Sequence, residues 1–496
     1  MNTPQQSHPP VRYSKFDKLY INGRWVKGHS SHLVKVTDPY DDSLLAEIPG
    51  ASEADLNLAF ESAKKAQPRW AATAPGERAQ ILRNAYDIVK ARKDEIVDWL
   101  IRESGSVRIK AEIEWQAVVD IMEQAVAAPY RVIGHIMPSN IPGKECRVYK
   151  KPLGVIAVIS PWDFAMHLSN RSVAPALAVG NAVVLKPSSD TPVTGALMLA
   201  KIYEEAGLPS GLFNVVVGSG SEIGRPFALH PIPRLNSFTG STKVGIDIGI
   251  NSIKSPVIKK VALELGGNGP LVVLDDADMD VAVNSAVFGK FINQGQICMI
   301  ANRIIVHQSI HDEFVRRFVD RVKKLKVGDP KEADTVIGPI INQQQCKGIM
   351  ALVESARKEG AKEMAGGEPK GLLIPPYVFT DVTMNMTIAR EEIFGPVAPI
   401  IKVRDEAEAL QVANDTDAGL TGAVITQDER RGLAFALKME VGMAHVNDQP
   451  VNDLANNPFG GEKNSGLGRF GGDWIVEEFT TSQWVTVQHT PRQYPF

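Results

Sequence analysis

Cysteine is scarce in this chain. Three occur among 496 residues, Cys146, Cys298 and Cys346. That is too few for a disulfide framework, and none forms the Cys-x-x-Cys pair of a zinc site, so no metal is expected. Long apolar runs are missing too. Stretches such as Val155–Ile159 fall far short of the ~20 residues a membrane helix needs. The polar segment Met1–Lys15 lacks the apolar centre of a signal peptide. No membrane partner and a cytoplasmic location are therefore expected. Nor is one sign of charge in excess: the formal net charge is −3, which argues against nucleic acid as a partner. Repeats are absent, as are low-complexity stretches beyond the first dozen residues. What is there is an ordinary composition, 44% hydrophobic and 22% charged, and a length that predicts two or three domains.

The local patterns give the architecture. Asn22-Gly23 between β-prone residues of Leu19–Val26 predicts a hairpin. Ser52 reads as an N-cap with Asp55 three residues on, followed by a stripe of Leu56, Ala59, Phe60 and Ala63. One longer helix is predicted from about Gly76 to Ser104, closed by Gly105, its charges between Glu77 and Glu103 forming a solvated face. From residue 152 short apolar runs (Val155–Ile159, Ala182–Leu185, Phe213–Val217, Leu235–Phe238) alternate with helical stretches near Ser172–Ala178 and Thr194–Ala206. This is βαβ grammar, with strands buried on both faces and ligands bound beyond their carboxyl ends. A second α/β region starts near Val261, with Leu271–Leu274, a helix through Ala282–Phe288, and Ile304–Val306. Phe479–Val487 and Arg147–Lys150 read as strands whose open edges another subunit would cover.

Chemistry concentrates in two segments. In Phe291–Cys298, Gly295 lets the backbone turn sharply and expose the sulfur. A cysteine nucleophile needs that exposure, and a lowered pKa to be thiolate at neutral pH. Cys146 and Cys346 are read as buried small hydrophobes. Upstream, Glu264 sits within Leu263–Asn268 at an apolar strand end. Burial there raises a carboxyl toward the range of a general base, unless it pairs with a lysine.

Taken together, the two segments resemble the glutamate and cysteine motifs of the aldehyde dehydrogenase superfamily, in order and at its spacing, 34 residues from Glu264 to Cys298. The resemblance runs from about Tyr20 to the C-terminus. Further segments are similar to family motifs. Phe238–Gly245 is a glycine turn from strand to helix, where Gly240, Ser241 and Gly245 would let a pyrophosphate approach. Asn181–Ser188 resembles the adenosine-ribose strand, with Lys186 as its contact. Glu391–Pro396 resembles the segment in which Glu392 holds the nicotinamide ribose and Phe394 packs on the ring, and Trp162 is grouped with these cofactor residues. The resemblance implies a Rossmann-type cofactor domain (residues 10–130 and 151–260), a catalytic α/β domain (261–445) and a small oligomerisation β-arm (131–150 and 475–496), assembled as a homodimer or homotetramer. It also implies the reaction: Cys298 adds to an aldehyde, hydride passes to NAD or NADP, and Glu264 activates water against the thioester.

The chain departs from the family pattern twice. Pro161-Trp162-Asp163-Phe164 carries aspartate where the family has an oxyanion-binding asparagine. Asp163 is either a protonated donor, or a lost donor whose load the Cys298 N–H carries, or the mark of a low-activity variant. Ser189 stands where NAD-preferring relatives often have glutamate, so NADP is expected to be accepted beside NAD. Arg171–Ala178, His445–Asp453 and His489–Phe496 look most like the benzaldehyde and vanillin dehydrogenase group. A pocket of Phe164, Ile297, Met299 and Phe459 suits a flat ring or an aliphatic tail equally. Arg171 at its entrance would meet a carboxylate or phenolate, or else pair an acid at a subunit edge. His167 is read as structural. Oxidation of an aromatic aldehyde is the main expectation. A medium-chain aldehyde or semialdehyde and a non-catalytic dinucleotide-binding scaffold are the alternatives.

Overall fold

A computed structural model describes residues 11–496; Met1–Pro10, with the first residue of the expected cofactor segment, lies outside the described residues. Leu19–Ile21 and Arg24–Val26 form the predicted hairpin, with Asn22 (φ 55°) and Gly23 (φ 71°) in the left-handed region that a two-residue turn demands. Ser52 caps the helix Glu53–Ala71, and Asp55 answers with a reciprocal bond from the Ser52 N–H at 2.8 Å.

The single helix expected over Gly76–Ser104 is two, Pro75–Ala91 and Lys93–Ser104, hinged at Arg92 (φ −102°, ψ 21°). The side chain of Arg92 turns inward, donating to Val11 O and pairing with Glu95 at 2.9 Å and Glu205 at 2.8 Å. The solvated face is also corrected, because Arg78, Arg92, Glu95 and Glu103 are all buried. Glu103 accepts from the N–H groups of Val193 and Thr194, both at 2.7 Å, and so caps another helix. Helix periodicity cannot show a partner contributed from ninety residues away.

Two sheets carry the molecule. The first runs Arg24–Val26, Leu19–Ile21, Phe213–Val215, Ala182–Lys186, Val155–Ile159, Leu235–Thr239, Lys260–Glu264, Gly466–Leu467. Its five central strands are parallel. Val155–Val158 and Ala182–Leu185 are unbroken apolar runs buried on both faces, whereas the neighbouring strands also bury the polar side chains of Asn214, Asn236 and Ser237. The second runs Lys362–Ala365, Tyr377–Thr380, Val397–Val403, Arg303–His307, Pro270–Val273, Thr421–Ile425, Met443–Val446, parallel except for its first strand. The expected boundary at residue 261 cuts a strand of the first sheet; the chain changes sheets between Glu264 and Pro270. Thr480–Gln488, Lys144–Pro152 and His135–Met137 make a third, antiparallel sheet. The two strands expected to leave open edges thus pair with each other, and Thr480–Gln488 keeps one edge free. Among the described residues no helix is long and apolar enough to cross a membrane. None of their His, Cys, Asp and Glu side chains gather in threes that could hold a metal ion.

This topology positions everything that follows. Glu264, Lys186, Thr239 and the Ser160–Phe164 segment lie at the carboxyl ends of parallel strands, the side where such sheets bind ligands.

Candidate active site

At those strand ends a cleft of about 520 Å³ is lined by Trp162, Asp163, Gly240, Ser241, Glu264, Cys298, Glu392 and Phe394, among others. Eight of the residues singled out from sequence therefore meet in one place. Cys298 arrives there because the helix Met279–Phe291 is broken by three successive left-handed residues, Asn293 (φ 52°), Gln294 (φ 56°) and Gly295 (φ 72°). A side chain on Gly295 would run into the carbonyl of Gly395, so the cysteine turn packs directly on the Glu391–Gly395 loop. That loop has its own left-handed residue, Phe394 (φ 50°). The Phe394 ring meets Trp162 edge to face, centroids 5.3 Å apart.

The electrostatics of the nucleophile differ from expectation. The Cys298 thiol is half-buried, and it is pushed well above its ordinary value by burial, then by the nearby charges of Glu264 and Asp163. The leading influences on it all raise it, so the lowered pKa expected for a resting thiolate is absent. Its proton has an acceptor instead, because the thiol lies against the Glu264 carboxylate. Glu264 is fully buried, and burial raises it against the lowering influence of Arg171. Asp163, 4% exposed, is raised to about 7 by burial and by the charge of Glu264, with Lys110 opposing. Glu392 accepts from the Gly267 N–H at 2.9 Å and is likewise raised to about 7, chiefly by burial.

The cofactor residues divide. Gly240 and Ser241 open the helix Thr242–Lys254, whose first turn holds no acidic residue and whose N-cap forms no side-chain bond. Its N–H groups and dipole are thus available to an anion such as a pyrophosphate. Gly245 does not line the cleft, and a side chain there would strike Leu265, so this glycine serves the packing of helix on strand end. Lys186 is buried, donates to Pro187 O at 3.2 Å, and is lowered to about 8 by burial. Ser189 is half-buried and donates to Gly218 O at 3.3 Å. The donor set fits a dinucleotide: a free helix N-terminus for the pyrophosphate, and Lys186 and Glu392 for hydroxyl groups.

Of the expected substrate residues, Phe164, Ile297, Met299 and Phe459 are buried in the apolar core against which Cys298 packs. Arg171 is not at an entrance. It is 1% exposed, its Nη2 lies 3.2 Å from Glu264 Oε2, and its Nη1 lies 3.6 Å from Asp453. Helix Ala165–Ala178 runs behind the strand ends, so its seventh residue points back at the base rather than out to solvent.

Sequence reasoning missed three features. Lys110 and Glu114 form a fully buried pair at 2.6 Å. Lys110 lies over the Phe164 ring, and Glu114 accepts from the Met166 N–H at 2.9 Å, fixing the turn that carries Asp163. Their i, i+4 spacing was the available signal. His167, read as structural, binds Asp453 at 2.8 Å. Lys290, a cation inside an apolar helix end, is completely buried and close enough to Glu392 to lower that carboxyl.

The chain is similar to known proteins over most of its length. The Aldehyde dehydrogenase family matches residues 25–485. A vanillin dehydrogenase of Corynebacterium glutamicum is 52% identical over 95% of this chain and 98% of its own length. A benzaldehyde dehydrogenase of Bacillus subtilis is 46% identical over 98% of this chain and all of its own. The crystal structure of a NAD-dependent benzaldehyde dehydrogenase from Corynebacterium glutamicum superposes with a TM-score of 0.88 at 49% identity, covering 95% of this chain and 98% of that one. With Cys298 and Glu264 gathered in one cleft with Trp162, Gly240, Ser241, Glu392 and Phe394, the chain belongs to the aldehyde dehydrogenase family.

Proposed function

We propose that the protein oxidises an aromatic aldehyde of the benzaldehyde or vanillin type to its carboxylic acid, with NAD as the acceptor. The observation that carries this is the contact of Cys298 with Glu264 in the cleft shared by Trp162, Phe394 and Glu392. The aromatic class is supported by the substrates that the similar enzymes are named for and by the packing of Cys298 against the apolar core that holds Phe164, Ile297, Met299 and Phe459.

Glu264 first takes the thiol proton, and the Cys298 sulfur adds to the aldehyde carbon to give a thiohemiacetal. Protonated Asp163 and the Cys298 N–H donate to the new oxyanion. Gly240, Ser241, Glu392 and Phe394 would hold NAD, which would supply the hydride acceptor. Collapse of the thiohemiacetal leaves a thioester on Cys298. Glu264 passes the thiol proton to solvent and then removes one from water. The water oxygen bonds to the acyl carbon, the carbon–sulfur bond breaks with Cys298 leaving as thiolate, and the acid departs. Family members that pass the acyl group to coenzyme A commonly lack such a base, so Glu264 supports hydrolysis.

In this reading the eight-stranded sheet is the cofactor domain and the seven-stranded sheet the catalytic one. The three-stranded sheet, with its free edge and exposed Trp484, joins cytoplasmic copies into a dimer or tetramer. Initial rates of NADH formation with benzaldehyde, vanillin, octanal and succinic semialdehyde test the function, with Cys298→Ala as control. Preference for the aromatic pair, lost in the variant, supports it. Preference for octanal or the semialdehyde refutes the substrate class, and inertness toward all four leaves the scaffold reading.

A further inference from the structure

The buried polar groups behind Glu264 form a connected row that the reaction as described does not use. His167 Nε2 meets Asp453 Oδ2 at 2.8 Å, Asp453 Oδ2 meets Arg171 Nη1 at 3.6 Å, and Arg171 Nη2 meets Glu264 Oε2 at 3.2 Å and Thr239 Oγ1 at 3.4 Å. The Arg171 guanidinium lies against the rings of Phe459 (4.4 Å) and Phe470 (4.5 Å). Held on those faces, it cannot swing away to solvent.

We propose that Arg171 is a positioning residue for Glu264: it pins one carboxylate oxygen and holds the charge on the base, while Asp453, itself held by His167, sets how much of that guanidinium Glu264 receives. This rests on the aldehyde-oxidising reading above. Two observations carry it. Glu264 Oε2 is fixed by Arg171, whereas Oε1 accepts no well-formed hydrogen bond although it is fully buried. One oxygen is anchored and the other is left for the thiol and then for water. The second is charge balance. Among the described residues the cation paired with buried Glu264 is Arg171, while the charge of Asp453 acts against it and Asp163 and Glu392 share its cleft. Without Arg171 the base would bind its proton more tightly and be a poorer acceptor. With Asp453 drawing on the same guanidinium, Glu264 is left closer to its working range than a full ion pair would leave it.

A merely structural arginine and a positioning one differ in which step they affect. NADH appears when the thioester forms, after Glu264 has taken the thiol proton and before it acts on water. In stopped-flow traces of the full chain with NAD and benzaldehyde, the rate of the burst therefore reports the first use of the base and the steady state the second. Arg171→Gln is expected to show a burst of about one NADH per subunit, then a steady state slower by on the order of tenfold at neutral pH. The acid limb of its steady-state profile moves to higher pH, and Arg171→Lys recovers part of the rate. Asp453→Asn, which removes the competing charge without changing shape, moves the acid limb to lower pH. Burst and steady state falling together with an unshifted limb would overturn the proposal. So would an upward shift, or none, in Asp453→Asn, and that arm stands even if Arg171→Gln fails to fold. Failure of the underlying reading looks different: the unaltered chain would make no NADH from the aldehyde.

Discussion

Replacing Asp163 by asparagine tests how a carboxyl can serve where an amide is expected. Its carboxyl is raised to about 7 by burial and the charge of Glu264. Only the protonated form can donate to the oxyanion, and the ionised form places like charge beside it. At pH 7 about half the molecules carry the donor, at pH 8 about one in ten, and at pH 9 about one in a hundred. Asparagine donates at every pH. The ratio of kcat/KM in Asp163→Asn to that of the unaltered chain should therefore be about 2 at pH 7, about 10 at pH 8 and about 100 at pH 9. It levels off near the ~3–4 kcal/mol that one oxyanion donor provides. Taking the ratio removes the titrations of Cys298 and Glu264 common to both forms. Initial rates with benzaldehyde and NAD across that range measure it, and a ratio independent of pH refutes the argument. Stability gives a second reading. The carboxyl binds its proton more tightly folded than unfolded, so its contribution is complete below the ordinary value of 3.8 and is lost as pH rises to about 7. The loss is on the order of 4 kcal/mol, and Asp163→Asn should melt higher than the unaltered chain at pH 8.

Three more outcomes follow from named contacts. Glu114→Gln keeps the shape and the acceptor for Met166 but strips the charge from a fully buried pair with Lys110; it should cost about 3–5 kcal/mol, and an unchanged melting temperature refutes this. Gly295→Ala puts a side chain at φ 72° against the Gly395 carbonyl; thiol labelling of Cys298 should slow and turnover fall, and normal activity would show that the turn tolerates a Cβ. Ser189 carries no charge to repel a 2′-phosphate, so NADP should support more than about a hundredth of the NAD rate; anything lower, beyond roughly 2.7 kcal/mol of discrimination, refutes it.

The sequence by itself determined what depends on near neighbours and on spacing along the chain. Asn22-Gly23 forced its turn, Ser52 and Asp55 capped their helix, and the unbroken apolar runs marked strands buried on both faces. Cys298 and Glu264 were legible because an exposed cysteine after a glycine turn and a carboxylate at an apolar strand end are local contradictions that function resolves. The tertiary structure alone decided which distant charge met which. Arg92 looked like surface and became a hinge, since Glu205 waits over a hundred residues away to receive it. Arg171 read either as a substrate contact or as the partner of an acid at a subunit edge, and the acid it meets is the buried base Glu264. The thiol expected to sit low was raised instead, by burial first and then by the carboxylates of Glu264 and Asp163, which come from separate parts of the chain. A buried charge takes its meaning from the whole field around it, and that field is assembled from residues far apart in the chain.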